Sequence, residues 1–216
     1  MIKGLVKSDL YFLKNFAVYY IIFLGVFGLI GVVGENIFFS VFFILYCGML
    51  MFSIIDNDER TGFNKYLIAN CTTKKRYVFG KYVTNMFMVF AAIFYYVFIF
   101  LINGIVKNNF TEKLPLLFFF LAIMFLFEIS LVSIEIPVTL KYGSSKSRLI
   151  LVVLYALIGA VGGGTLAGGK IMESNFITNI SNVNTVLVFL ICILISLVLQ
   201  FVSMKISQRI VIKKDY

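Results

Sequence analysis

Six apolar stretches, each close to or beyond the length that crosses a bilayer, constrain this chain more than any other feature. They run over Ala17–Val33, Ile37–Ile55, Tyr82–Val106, Leu114–Leu140, Leu149–Leu166 and Val186–Met204. About 20 residues at ~1.5 Å rise each cover the ~30 Å of hydrocarbon in a bilayer. Inside hydrocarbon every backbone N–H and C=O must be satisfied within its own segment, which a helix achieves and an open strand does not. No stretch alternates in the manner of a membrane strand. Composition agrees, since 61% hydrophobic and 13% charged residues leave too little polar surface for a water-soluble domain. The expected fold is all-α: a polytopic membrane protein with six transmembrane helices in a single domain over residues 1–216.

Residues 1–16 are patterned differently. Ile2, Leu5, Val6, Leu10, Phe12, Leu13 and Phe16 alternate with Lys3, Lys7, Asp9 and Lys14. This predicts an amphipathic helix lying in the interface plane. A basic start before an apolar run is also the form of a secretory signal, but the run is long and no A-x-A-like site follows, so no cleavage is expected.

The net charge of +9 is distributed by side. Lys3, Lys7 and Lys14 precede the first span. Arg60, Lys65, Lys74, Lys75, Arg76 and Lys81 follow the second. Lys141, Lys146 and Arg148 follow the fourth, and Lys205, Arg209, Lys213 and Lys214 follow the sixth. The alternate connections hold Lys107, Lys113 and Lys170. Sixteen basic residues against three place both termini in the cytoplasm, at a plasma membrane. The basic balance is thus a topology signal, aided by anionic lipid, and not a nucleic-acid footprint. Histidine is absent, which excludes Ser-His-Asp and Cys-His catalysis and any His-ligated metal. Cys47, Cys71 and Cys192 are odd in number and form no CxxC, so they read as reduced thiols.

The longest basic-side connection, residues 56–81, contains helical spacing at Phe63, Tyr66, Leu67 and Cys71. A short helix across the base of the spans is expected. Asp56, Asp58 and Glu59 precede it and suit its N-terminus, and Thr72-Thr73 end it. A solvated loop and a docking helix for a cytoplasmic partner are both compatible with these residues. In the fourth span Glu128 and Glu135 lie seven residues apart, nearly on one helix face. Glu128 falls at depth, where an ionisable group faces a polar interior. Glu135, near the basic edge, is expected to reach water or a nearby lysine, and Pro137 to bend the helix end. Gly25, Gly28, Gly31 and Gly34 suit close helix packing. Tyr19, Tyr20, Tyr46, Tyr95, Tyr96 and Tyr155 suit an interfacial belt or an amphipathic path. Residues 159–183 hold six glycines by Gly169, where helix is not expected to persist. An outer, re-entrant excursion is expected there. It lacks the GxxxxGK[ST] phosphate pattern, and Asn179-Ile180-Ser181 is an isolated N-x-S match.

The order of these parts resembles the ABC-2 type transporter permeases, in particular the small stand-alone transmembrane subunits of bacterial ABC exporters. The likeness covers the whole chain. It is sharpest at Asp58-Glu59-Arg60-Thr61-Gly62, at Tyr66-Leu67, and at Lys74-Lys75-Arg76-Tyr77-Val78-Phe79-Gly80-Lys81. These look like the family's acidic-Arg-x-Gly entrance, its leucine-containing coupling helix, and its basic-aromatic exit into the third span. Ala69-Asn70-Cys71-Thr72-Thr73 stands where the family carries a short proline turn. The resemblance implies a coupling helix over about Thr61–Thr73 that binds a cytoplasmic ABC ATPase through Glu59, Arg60, Gly62, Phe63, Tyr66, Leu67 and Thr72. It implies a permease homodimer or heterodimer, and ATP and magnesium carried by the ATPase, since this chain has no Walker or signature sequence and no cofactor of its own. The cargo of such systems is hydrophobic or amphipathic: a peptide, an antimicrobial or a lipid. Two alternatives compete. One is a stand-alone secondary transporter using Glu128. The other is a peptide-immunity or sensor subunit with the same fold.

Overall fold

In the computed structural model, residues 2–15, 17–33, 39–70, 73–107, 110–167 and 185–214 are described. They form helices α1 (Ile2–Lys14), α2 (Ala17–Val33), α3 (Phe39–Arg60), α4 (Phe63–Asn70), α5 (Lys74–Lys107), α6 (Phe110–Tyr142), α7 (Ser144–Ala167) and α8 (Thr185–Lys213). No strand occurs among the described residues. Two stretches there are long and apolar enough to cross a membrane, Lys74–Ile105 and Val186–Lys213. Cys71, Thr72, Lys170 and the Asn179-Ile180-Ser181 match lie outside the described residues.

The helices overrun the expected spans at their basic ends. α3 continues through Asp56–Arg60, and α5 begins at Lys74, two turns before Tyr82. Little of the 56–81 connection is therefore loop. The acidic residues do not serve the N-terminus of α4. They form the last turns of α3, where the helix dipole disfavours them, and cations from other helices offset this. Glycine stands at two of the turns among the described residues. Gly62 (φ 68°) ends α3 and Gly143 (φ 77°) alone joins α6 to α7, both in the left-handed region that a Cβ disfavours.

A second correction concerns α7. It persists as helix through Gly159–Gly164 to Ala167, although glycine disfavours helix in water. The glycines keep the backbone N–H and C=O groups that the helix pairs, so the helical ladder continues through them. Residues 168–184 lie outside the described residues. The first-span glycines do not behave alike either. A Cβ on Gly28 would meet the Tyr95 hydroxyl at 2.8 Å, whereas one on Gly25 would meet nothing within 4 Å. Of these two, Gly28 is the close-packing glycine, and Tyr95 donates to the Leu24 carbonyl beside it.

α6 and α8 pack most extensively. The buried face of α8 carries Ser196, Gln200, Ser203 and Ser207, at i, i+4, i+7 and i+11, while Leu194, Leu197, Val198, Phe201 and Val202 point outward. This is amphipathicity inverted for lipid: the apolar face meets hydrocarbon and the hydroxyls meet protein. Ser203 donates to the Ser133 carbonyl of α6. The Tyr82 hydroxyl of α5 sits 2.6 Å from Ser203 Oγ and 3.0 Å from Ser207 Oγ. Three helices thus meet in one hydroxyl seam.

Candidate functional site

The base of the bundle is assembled around one buried cation. Asp9 falls on the same stripe of α1 as Leu5, Val6 and Leu13, so docking that stripe carries a carboxylate inward. Lys81, in the second turn of α5, meets it. Lys81 Nζ lies 2.6 Å from Asp9 Oδ1 and 2.7 Å from Asp58 Oδ2 of α3. Thr84 donates to Asp9 Oδ2 at 2.8 Å, and Tyr77 donates to Asp58 Oδ2 at 2.9 Å. All five side chains are buried. Burial is the strongest influence on Asp9 and pushes its carboxyl above the ordinary value. Lys81, by charge and by hydrogen bond, and Thr84 pull it down, and Asp58 adds a smaller upward push. The cluster ties α1, α3 and α5 together where the amphipathic segment meets the spans. α1 is therefore a docked strut and not only an interfacial float.

The other acidic residues of α3 reach α7. Glu59 Oε2 accepts from the Ser144 backbone N–H, an orphan donor in the first turn of α7. A Cβ on Gly143 would meet Glu59 Oε1 at 2.8 Å, so the glycine also makes room for this cap. Asp56 pairs with Arg148 of α7 at 3.2 Å and with Arg60 one turn on at 3.0 Å. The C-terminus of α8 is held in the same layer. Lys74 Nζ donates to the Ile212 and Lys214 carbonyls, and Lys214 Nζ donates to the Leu140 carbonyl of α6. The chain ends expected to share one face do share one end of the bundle.

α4 follows the turn at Thr61-Gly62 at the end of α3. Gly62 supplies the carbonyl that accepts its first helical hydrogen bond, and Thr73 does the same for α5. Leu67 and Ile68 pack upward against the core, which leaves Tyr66 and Lys65 exposed. A cleft of about 490 Å3 opens between α1, the end of α3 and α4, with Asp9 and Asp58 in its floor and Phe12, Phe63 and Tyr66 along its sides. Of the residues expected to meet a partner, Tyr66 and Arg60 are exposed, Phe63 and Leu67 are half-buried, Gly62 makes the turn, and Glu59 is turned toward α7.

A family model described as "ABC-2 family transporter protein" matches residues 4–211, nearly the whole chain. The chain belongs to the ABC-2 transporter family. No curated protein and no solved structure matches it. Membership makes this a membrane transport component of a family that is not itself catalytic and that normally works with an ABC ATPase.

Glu128 and Glu135 both lie on the buried side of α6, as the seven-residue gap predicts. Glu135 does not reach water, because its exposure is 0%. The hydroxyl of Thr139 donates to its carbonyl one turn away. Glu128 Oε1 is buried with no hydrogen-bond partner among the described residues. Sequence reasoning treated Asp9 as part of a solvated face and Lys81 as a topology charge. The available signal was positional. Asp9 interrupts the apolar stripe of α1 at the place where a leucine would fit, and Lys81 is flanked by residues of apolar character from Tyr77 to Val83. The polar stripe of α8, Ser196, Gln200, Ser203 and Ser207 at heptad-like spacing, is a signal of the same kind.

Proposed function

We propose that this chain is the six-span permease subunit of an ATP-driven exporter, with α4 as the helix that receives motion from a cytoplasmic ATPase. The observation that carries the reading is the junction of α4. The helix projects from a layer in which Asp9, Asp58, Lys81, Glu59 and Asp56 join α1, α3, α5 and α7 through short polar contacts. A push on α4 therefore acts on four helices together, which is what a coupling element needs. A flexible loop would dissipate it. The ATPase carries ATP and magnesium, and closure of its two copies favours one arrangement of a permease pair, homodimeric or heterodimeric, by population shift.

In this reading both termini and α4 are cytoplasmic at the plasma membrane, residues 1–16 brace the inner interface, and residues 159–183 lie on the outer side. Arg60, Phe63, Tyr66 and Thr72 belong to the docking face, Leu67 anchors α4 to the core behind it, and Glu59 and Gly62 hold that face in position. The cargo in this reading is hydrophobic or amphipathic. The test is isolation from native membranes in mild detergent, with and without Tyr66→Glu. An ATPase that co-purifies with the wild type and is lost from the variant supports the reading, and no ATPase in either preparation contradicts it. A second reading draws on Glu128, whose buried carboxyl suits a proton carrier. It requires ion-coupled uptake that Glu128→Gln abolishes without any ATPase. An immunity or sensor subunit would keep the ATPase and show no export.

A further inference from the structure

The seam between α5 and α8 opens on its outer side into a groove of about 360 Å3. Its walls are almost wholly apolar and include Phe79, Met86, Phe87, Phe90, Phe201 and Met204. Several of these residues are exposed, so in a bilayer the groove faces lipid and not a protein interior. One group breaks the pattern. Gln200 lines the groove, is 8% exposed, and its Nε2 has no hydrogen-bond partner among the described residues. An amide donor held in an apolar, water-free wall is costly unless something accepts from it. Its neighbours along the stripe are already committed. Ser203 and Ser207 are engaged with Tyr82, and Ser196 donates to the Cys192 carbonyl.

A cation stands beside the groove's wall, next to its lining and not within it. Lys205 Nζ sits 5.2 Å from the centroid of the Phe201 ring, which forms part of the wall. Five residues separate Lys205 from Gln200, about 7.5 Å along the helix axis. A flexible lysine side chain adjusts over such a distance while keeping its charge at the interface.

We propose that this groove is a binding site for an anionic phospholipid of the leaflet at the basic end of the bundle. One acyl chain fills the space between the phenylalanine and methionine walls. The ester carbonyl accepts from Gln200 Nε2, and the phosphate lies toward Lys205. The assignment requires only that α5 and α8 stand in a bilayer. It does not depend on what is transported or on any ATPase, so the two proposals fail separately.

The chain contains no tryptophan, so a single introduced indole reports alone. Phe87→Trp puts it on the groove wall. Phe90→Trp is a second reporter should the first not fold. Val198→Trp, on the outward face of α8 at similar depth, reports bulk lipid. Each variant is reconstituted into phosphatidylcholine vesicles containing increasing fractions of phosphatidylglycerol with brominated acyl chains. Groove reporters are expected to be quenched more steeply than the bulk fraction predicts, while Val198→Trp follows it. Adding Gln200→Leu removes one hydrogen bond and weakens the preferential association about fivefold. Adding Lys205→Gln abolishes the preference for brominated phosphatidylglycerol over brominated phosphatidylcholine. Groove and outward reporters quenched identically at every lipid fraction would overturn the proposal. So would steep quenching that neither Gln200→Leu nor Lys205→Gln changes.

Discussion

Lys81→Met tests the architecture at the base of the bundle most severely. In the wild type one ammonium stands between two carboxylates at 2.6 and 2.7 Å, with both partners about 4–5% exposed. The trio carries one net negative charge, tempered by the hydroxyls of Tyr77 and Thr84. Methionine fills a similar volume and leaves two carboxylates facing each other without a cation. Removing one partner of a buried pair costs about 3–5 kcal/mol, because the remaining charge is buried and uncompensated. Asp9→Asn is the informative contrast. It leaves Lys81 paired with Asp58 and keeps a hydrogen-bonding side chain, and since burial already favours the neutral form of Asp9 it is expected to cost at most about 1 kcal/mol. The double variant carries one fewer buried negative charge than Lys81→Met and should be more stable than it. Stability is read from unfolding in mixed micelles titrated with SDS. Local loosening is read from amide exchange over Ile2–Lys14. If Lys81→Met costs no more than Asp9→Asn, or if the double variant is the least stable of the three, the cluster is not held by its cation and the argument fails.

Three further outcomes follow from the same layer. Gly80→Ala should lift α1 from α5, since a Cβ there would stand 3.2–3.3 Å from Leu5 Cδ1 and Cβ; overpacking of about 1 kcal/mol should appear as faster exchange in α1 alone. Because burial raises the Asp9 pKa above its unfolded value, the folded state binds the proton more tightly. The Asp9 contribution is therefore fully present below the unfolded pKa and is lost as pH rises through the folded one. Protection factors in α1, taken against the intrinsic exchange rate at each pH, should hold steady or rise as pH falls from neutrality toward the ordinary aspartate range, and a fall in protection on acidification would contradict this. Glu59→Gln should cost about 1 kcal/mol by weakening the charged cap of α7, seen as faster exchange at Ser144–Arg148 with α4 unaffected.

The hydropathy pattern specified much of the scaffold in advance. α2 coincides with the expected Ala17–Val33 stretch and α1 fills the amphipathic segment, because lipid leaves a long apolar stretch little choice but helix. The ends of α3 and α5 were harder to read. Their charged turns look like loop by composition and become helix only because partners distant in sequence satisfy them, with Lys81 meeting Asp9 across 72 residues. Hydropathy averages also conceal polar residues placed by period. Ser196, Gln200, Ser203 and Ser207 barely dent the mean of α8, yet they are its buried face. The persistence of α7 through Gly159–Gly164 shows that a local glycine count, read by propensity alone, does not locate a helix end.

Photo-crosslinking from the exposed face of α4 tests the central claim most directly. A benzophenone-bearing phenylalanine analogue replaces Tyr66, which is 61% exposed, and native membranes are irradiated before solubilisation. The account predicts a covalent product between this chain and an ATP-binding protein, identified by mass spectrometry. The same analogue at Leu194, on the outward face of α8, should give lipid adducts and no ATPase. Lipid adducts from both positions, in membranes that contain the ATPase, would contradict the assignment of α4 as the coupling helix.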